Sequence, residues 1–162
     1  MKGGSVKIVV SACLLGENCK YSGGNNLCLR LVDWLAARED VEVVPVCPEV
    51  TGGLPTPRPP AEIADGKVIN NEGVSVDAEF RAGAAAEMER LQPCIDAGEI
   101  ECAVLQSRSP SCGVHEVYDG TFTGTLIPGR GLFAEALMDA GVRVVDVADF
   151  DDSVCTGQFC GS

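Results

Sequence analysis

The chain has 162 residues, of which 46% are hydrophobic and 22% are charged, and this composition is typical of one compact globular domain rather than a disordered segment. Its 24 acidic and 12 basic side chains give a formal net charge of −12. Such a charge repels a phosphate backbone, so we expect no nucleic acid as a partner. The longest apolar runs fall far short of the roughly 20 residues that a membrane span needs, so we expect no membrane partner. The chain lacks the features of a secretory signal at its start, which favours a cytoplasmic protein.

A strand and a helix are predicted near the start of the chain. Residues 6–12 form a β-branched run that predicts a buried strand, and this run stops at Cys13. After a glycine-containing loop, Asn25 or Asn26 is a suitable cap for a helix that ends near Arg38. The apolar side of this helix is expected to contain Leu27, Leu31, Trp34 and Leu35.

A second strand and two irregular segments follow. Residues 41–46 predict the strand, in which Pro45 indicates either a position at the edge of the sheet or a strand that is about to end. A strand, a helix and a strand in this order predict a parallel crossover unit. The proline-rich segment 51–60 is expected to form a stiff loop over a site, and short alternating segments within 63–76 predict small β-hairpins.

The middle of the chain predicts a long helix followed by a third strand. Asp77 is a suitable cap for the helix, and Gly98 is a suitable residue to end it. Residues 100–105 predict the strand. The apolar side of the helix is expected to contain Phe80, Ala84, Met88, Leu91 and Ile95.

The last predicted elements are a hairpin, a helix and a strand. The pair Asp119-Gly120 predicts a two-residue turn between β-forming residues. A helix is expected over 132–140, closed by Gly141, and residues 142–147 predict a fourth strand.

Strands that alternate with helices in this way predict an α/β fold. We expect a single three-layer, Rossmann-like and mostly parallel sheet with small β-hairpin insertions. This domain is expected to span residues 1–148, and residues 149–162 are expected to form a C-terminal tail whose role the sequence does not indicate.

Three of the nine cysteines come after predicted strands, namely Cys13, Cys47 and Cys112. Because the carboxyl ends of parallel strands meet at one edge of a sheet, we expect these three thiols to converge there. Three thiolates from separate loops can hold a soft metal or a cluster with one coordination position open, which implies catalysis or substrate binding. The alternative is that they are buried small hydrophobic residues.

The other cysteines carry weaker signals. Cys19 follows Cys13 in the same loop, and its type and position fit a fourth ligand, a substrate-handling thiol or a buried residue equally well. Cys155 and Cys160 lie in the polar tail, where a metal role is disfavoured. The chain has no Cys-x-x-Cys pair, which argues against a thioredoxin-like dithiol and a zinc ribbon. Core packing accounts for Cys28, Cys94 and Cys102.

Several polar residues near these cysteines are candidates for catalysis. Glu49 follows Cys47 by two positions and is either a general acid or base in the crevice or a solvated loop residue. Arg58 is expected to meet an anion or to pair with an acidic side chain, and the lone histidine, His115, is expected to be structural. Three serines near Cys112 can contact cluster sulfurs or a ligand, or else cap their own turn; they are Ser107, Ser109 and Ser111.

In these segments the sequence resembles the thiouracil desulfidase (TudS) family. The resemblance extends over residues 6–147, and its motifs occur in order at the ends of predicted strands. The motifs are Ser11-Ala12-Cys13-Leu14-Leu15-Gly16 with Cys19-Lys20-Tyr21, the run from Val46-Cys47-Pro48-Glu49 to Thr56-Pro57-Arg58, Ser107-Arg108-Ser109-Pro110-Ser111-Cys112-Gly113, and Tyr118-Asp119-Gly120-Thr121-Phe122. The chain departs from the usual family pattern at Ser22, where an aspartate is common, and at Gln106, where a lysine is common.

The resemblance implies a [4Fe-4S] cluster bound by Cys13, Cys47 and Cys112, with the fourth iron free to take a substrate's sulfur. It implies non-redox desulfuration of a small thiolated pyrimidine or related thioamide, which converts thiouracil to uracil and sulfide. Glu49 is then expected to activate water or protonate the ring. The remaining implied catalytic candidates are Ser107 or Ser109, which would position the base, and Cys19.

An alternative hypothesis uses the same three thiolates without catalysis. The chain would then be an iron–sulfur or zinc protein with a binding or sensing role. A thiol redox enzyme is a weaker alternative because the chain lacks a Cys-x-x-Cys pair.

Overall fold

A computed structural model describes residues 6–151, which form an α/β fold around one four-stranded parallel sheet with the strand order β2-β1-β5-β8. Two antiparallel hairpins, β3-β4 and β6-β7, are inserted between the main elements. The strands are β1 (Val6–Ser11), β2 (Val41–Val46), β3 (Ala61–Ala64), β4 (Lys67–Asn70), β5 (Ile100–Leu105), β6 (Glu116–Tyr118), β7 (Leu126–Pro128) and β8 (Val144–Asp146). The helices are α1 (Leu29–Ala36), α2 (Pro48–Thr51), α3 (Asp77–Asp96) and α4 (Leu132–Asp139).

Both faces of the sheet are covered, so the predicted three-layer arrangement is confirmed. Alternate residues of a strand point to opposite faces, and β1 and β5 are apolar at consecutive positions. On β1, Ile8 packs towards α1 with Leu31 and Leu35, whereas Val9 packs on the opposite face with residues of α3 and α4. Strand β2 is at the edge, one of the two possibilities that Pro45 indicated.

The helix starts differ from the prediction because the expected cap residues bond elsewhere. Helix α1 begins at Leu29 after Cys28, and Asn25 instead accepts a hydrogen bond from the Leu27 backbone N–H at 3.0 Å. Leu27 therefore lies outside the helix and is exposed. Asp77 is the first residue of α3, and its carboxylate accepts the backbone N–H of Val68 at 3.0 Å.

One hairpin prediction is confirmed and the other is wrong. Asp65 and Gly66 join β3 to β4 with φ values of 52° and 78°, as a two-residue type I′ turn requires. Strands β6 and β7 are instead joined by a longer loop over residues 119–125. Glu62 of β3 holds this loop by accepting the backbone N–H groups of Gly120 and Phe122 at 2.9 and 3.1 Å.

The C-terminal part of the fold is shorter in β structure than predicted. Strand β8 has three residues, and the chain then enters a 3-10 turn over Val147–Asp149. Phe150 packs in the hydrophobic core that lies between the sheet and α1. Its ring makes an edge-to-face contact with Trp34, and the two ring centroids are 5.4 Å apart. Cys155 and Cys160 lie outside the described residues, and the expected division into a domain and a tail stays a prediction. None of the helices described between residues 6 and 151 is long and apolar enough to cross a membrane.

Helices α2 and α3 contact each other backbone to backbone through two glycines. A β-carbon on Gly83 would overlap the Pro48 carbonyl oxygen, and one on Gly52 would overlap the Glu79 carbonyl oxygen. Only glycine permits this approach, which fixes the segment directly after Cys47 against the long helix.

Gly83→Ala is expected to lower the free energy of unfolding by about 1–3 kcal/mol, the usual cost of overpacking. The direction of this change in the free energy of unfolding is informative, because alanine in a helix interior is normally more stable than glycine by about 1 kcal/mol. Urea unfolding measures the change. Gly24→Ala is the matched control, since a β-carbon there makes only an ordinary contact of 3.6 Å with Ser22 Oγ. Equal stability of Gly83→Ala and the wild type would contradict the close packing.

Candidate active site

A cavity of about 580 Å³ opens at the carboxyl ends of the parallel strands and contains four cysteines. Cys13 lies in a 3-10 turn over Ala12–Leu15 directly after β1. Cys47 lies between β2 and α2, and Cys112 lies in the loop that follows β5. The expected convergence of these three strand-end cysteines therefore occurs. Cys19 lines the same cavity.

Polar groups of the surrounding loops contact the sulfur atoms. The Asn26 side-chain amide donates to Cys13 Sγ at 3.7 Å, and the Ser111 hydroxyl lies 3.6 Å from Cys112 Sγ. The Cys47 thiol lies 3.8 Å from the backbone carbonyl oxygen of Cys19. Donors aimed at sulfur stabilise negative charge there, as the outer hydrogen bonds of metal-bound thiolates do.

Burial raises the pKa of three of the cavity thiols, those of Cys13, Cys19 and Cys112. Loss of solvent raises the pKa of Cys112 to about 12, against the opposing effect of the Ser11 and Ser111 hydroxyls. It also raises the pKa of Cys13 and, reinforced by the negative charge of Cys47, raises the pKa of Cys19 to about 12. A soft cation that replaces the protons would offset both burial and mutual repulsion.

The described part of the chain contains no group of three His, Cys, Asp or Glu side chains that could hold a single metal ion. A polynuclear cluster is bound differently, because each thiolate ligates its own iron atom. Three thiols on three separate loops around one cavity fit that requirement.

Glu87, a buried carboxylate on α3, forms a hydrogen bond with the backbone of Cys47. Glu87 Oε2 accepts the Cys47 backbone N–H at 3.1 Å and the Thr51 hydroxyl at 3.0 Å. Its other oxygen accepts two bonds from Arg90 at 2.9 and 2.7 Å, and Arg90 also donates to the Pro45 carbonyl. The sequence analysis missed Glu87 because a single glutamate on a helix 40 residues away carries no local signal.

Glu49 is held by Arg58, which is almost fully buried. The guanidinium uses all five of its N–H groups. Two of them reach Glu49 Oε1 at 3.0 and 2.9 Å, and a third reaches the Cys19 carbonyl at 2.9 Å. The remaining two bind the Pro55 carbonyl and the Thr56 hydroxyl. The proline-rich loop therefore borders the cavity, and Arg58 pairs with an acid, one of its two expected roles.

The serines near Cys112 form a directed chain of hydrogen bonds. Ser109 Oγ accepts the backbone N–H groups of Ser111 and Cys112, each at 3.0 Å, so its own hydroxyl proton is left to donate to Ser111 Oγ at 2.9 Å. The Ser111 hydroxyl donates to Glu49 Oε2 at 2.9 Å, since a carboxylate is the stronger acceptor. Ser111 is thus the serine in contact with Glu49, and Ser109 supports it.

Ser107 also lines the cavity, and its hydroxyl donates to the buried carboxylate of Asp146 at the end of β8. His115 lies on the surface, where its ring pairs with Asp149 at 2.6 Å. Cys102 is fully buried in β5. Cys28 and Cys94 are partly buried and do not line the cavity.

The fold and the site define a class of single-sheet α/β proteins with a thiol-rich crevice at the carboxyl ends of the strands. The profile of the 2-thiouracil desulfurase family matches residues 8–149. The chain belongs to this family, so the resemblance noted from the sequence and the expectation of an enzyme of this kind are confirmed.

Two relatives show how far the similarity extends. A solved structure described as a [4Fe-4S]-dependent thiouracil desulfidase, TudS, is 37% identical and superposes with a TM-score of 0.79, over 90% of this chain and 93% of that chain. A protein of Bacillus subtilis (strain 168) named uncharacterized protein YbbK is 35% identical over 158 residues, which is 90% of this chain and 98% of the relative.

The raised pKa of Cys19 predicts an unusual pH dependence of its alkylation in reduced, metal-free protein. Iodoacetamide reacts with the thiolate, and a raised pKa lowers the thiolate fraction at neutral pH. The rate is therefore expected to rise about tenfold per pH unit from pH 7 to 10 without levelling near 9.0, the ordinary value. Mass spectrometry of the tryptic peptide measures it. A rate that levels off below pH 9 would contradict the burial of this thiol beside Cys47.

Proposed function

We propose that the protein uses a [4Fe-4S] cluster, held by Cys13, Cys47 and Cys112, to remove sulfur from a small thiolated pyrimidine such as thiouracil. The observation that carries this proposal is the convergence of these three thiols and Glu49 on one cavity. The description of the 37% identical structure as a [4Fe-4S]-dependent thiouracil desulfidase supports the choice of cluster and substrate.

The residues present suit the cluster by their chemistry. Thiolates are the ligands that iron–sulfur clusters prefer, and Asn26 and Ser11 supply hydrogen bonds to the sulfurs of Cys13 and Cys112. When bound through three cysteines, such a cluster supplies an iron with an open coordination position that acts as a thiophilic Lewis acid. Cys19 contributes a further thiol beside Cys47 and remains a candidate for handling the substrate or its sulfur.

The reaction balances without an oxidant or a reductant. Water adds its oxygen to the thiocarbonyl carbon, the carbon–sulfur bond breaks, and the products are the carbonyl compound and sulfide. Glu49 is the residue that accepts and donates protons in this reaction. Its Oε1 is occupied by Arg58, whereas Oε2 has a further acceptor position beyond the Ser111 bond and can take a proton from water or return one to the ring.

The serines and the shape of the cavity position the substrate. About 580 Å³ is within the range of small-molecule sites, and in the proposed reaction this volume holds both the cluster and a single ring. Ser111, oriented by Ser109, holds Glu49 in place, and Ser107 lines the cavity. A related small thioamide would meet the same groups.

Purification or reconstitution without oxygen is expected to yield about four iron and four acid-labile sulfide ions per chain. Cys13→Ser, Cys47→Ser and Cys112→Ser should each lose most of this content, because a serine hydroxyl is a poor ligand for a soft site. Cys94→Ser is the matched control, since Cys94 lies on α3 outside the cavity. Zinc in place of iron, or equal iron in all variants, would exclude the proposed cluster.

Glu49→Gln separates an enzyme from a protein that only binds the cluster. This variant should keep its iron content and lose about 100-fold or more in the rate of uracil formation from 2- or 4-thiouracil, because the amide cannot accept the proton. Glu17→Gln, an exposed change in the neighbouring loop, is the control. A fully loaded wild type without turnover would favour the binding or sensing alternative instead.

A further inference from the structure

Asp146 is a buried carboxylate behind the cavity. It lies at the end of β8, is 5% exposed and does not itself line the cavity. Its Oδ1 accepts two hydrogen bonds, one from the Ser107 hydroxyl and one from the backbone N–H of Ala148 at 2.8 Å. The sequence analysis did not single out this residue, and the reaction described above does not use it.

The bond to Asp146 determines what Ser107 can offer a ligand. A hydroxyl has one proton and two acceptor lone pairs. Because an ionised carboxylate can only accept, the single proton of Ser107 is committed to Asp146 and is unavailable to the cavity. Any hydrogen bond between the Ser107 hydroxyl and a ligand in the cavity is therefore one that the serine accepts.

We propose that Asp146 is a positioning residue that makes Ser107 a receptor for a ring N–H of the substrate. This inference rests on the proposed function and refines it, since it names the recognised group. Cyclic thioamides of the thiouracil type carry an N–H next to the thiocarbonyl carbon, and this N–H is the donor that an acceptor-only serine selects. Rings whose nitrogens are alkylated lack the donor and leave Ser107 unsatisfied, which is costly in a partly closed site.

The same bond links ligand recognition to the sheet. Ser107 is in the loop that carries Cys112, whereas Asp146 ends the neighbouring strand, paired with Leu105. Asp146 also holds the start of the 3-10 turn through Ala148. The serine oxygen is therefore fixed relative to β5 and β8 rather than to its own loop alone.

The test is the preference of the cluster-loaded protein for uracil over 1,3-dimethyluracil, measured anaerobically by calorimetry. Uracil keeps both ring N–H groups but has no sulfur to remove. Wild type is expected to prefer uracil, and Ser107→Ala and Asp146→Ala are each expected to reduce this preference by about tenfold. Asp146→Ala should add nothing in the Ser107→Ala background, because it acts through that serine.

Two further variants separate positioning from general damage. Asp146→Asn keeps an acceptor oxygen and should retain the preference. Asp149→Ala removes an exposed carboxylate from the same 3-10 turn and should also retain it. If Asp146→Ala does not fold, the preference of Ser107→Ala for uracil over 1,3-dimethyluracil still tests the inference. The inference would be overturned if wild type shows no preference for uracil over 1,3-dimethyluracil, or if Ser107→Ala leaves that preference unchanged. The iron content and the thiouracil turnover of the wild type test the proposed function separately.

Discussion

The site depends on the close contact between α2 and α3. Gly52 and Gly83 allow the two backbones to meet, and this contact places the short segment that begins at Cys47 and includes Glu49. Glu87 then accepts the Cys47 backbone N–H from the same helix. Cys47, the proposed cluster ligand, and Glu49, the proposed catalytic carboxylate, are thus both positioned by this contact, so a displacement of α2 along α3 would misplace both.

Buried carboxylates hold the other loops around the cavity in the same way. Glu62 accepts two backbone N–H groups of the loop over 119–125, in which Phe122 has a left-handed conformation with φ of 59°. Glu49 joins the proline-rich loop through Arg58 to the serines before Cys112. Because a buried carboxylate without partners is costly, each of these groups makes the arrangement around it specific. The chain's acidic character is therefore partly structural and not only a property of its surface.

The sequence was informative where the structure is repetitive and local. The apolar runs at residues 6–12 and 100–105 predicted strands, and the positions of Cys13, Cys47 and Cys112 after strands predicted where the thiols meet. Helix starts were misplaced by one to three residues because Asn25 and Asp77 bond outside the helix caps.

The features that were not predicted depend on residues distant in the chain. Glu87 reaches Cys47 across 40 residues and Asp146 reaches Ser107 across 39. The pair Asp119-Gly120 normally predicts a tight hairpin turn, but here it belongs to a longer loop over 119–125. Glu62, 58 residues away from Gly120, supplies hydrogen bonds to this loop. Such contacts are set by tertiary packing, and neither periodicity nor turn propensity reports them.

The hydrogen bonds around the cavity have a consistent polarity. The Asn26 amide donates to Cys13 Sγ and the Ser11 hydroxyl to Cys112 Sγ, where thiolate charge would develop on binding a metal. Two oxygens of residues that line the cavity, Glu49 Oε2 and the Ser107 hydroxyl oxygen, can accept hydrogen bonds from a ligand. The cysteine sulfurs are thus provided with donors and the ligand with acceptors. The proposed cleavage of a carbon–sulfur bond by water needs such acceptors, because the oxygen of water loses its protons as the carbonyl group forms.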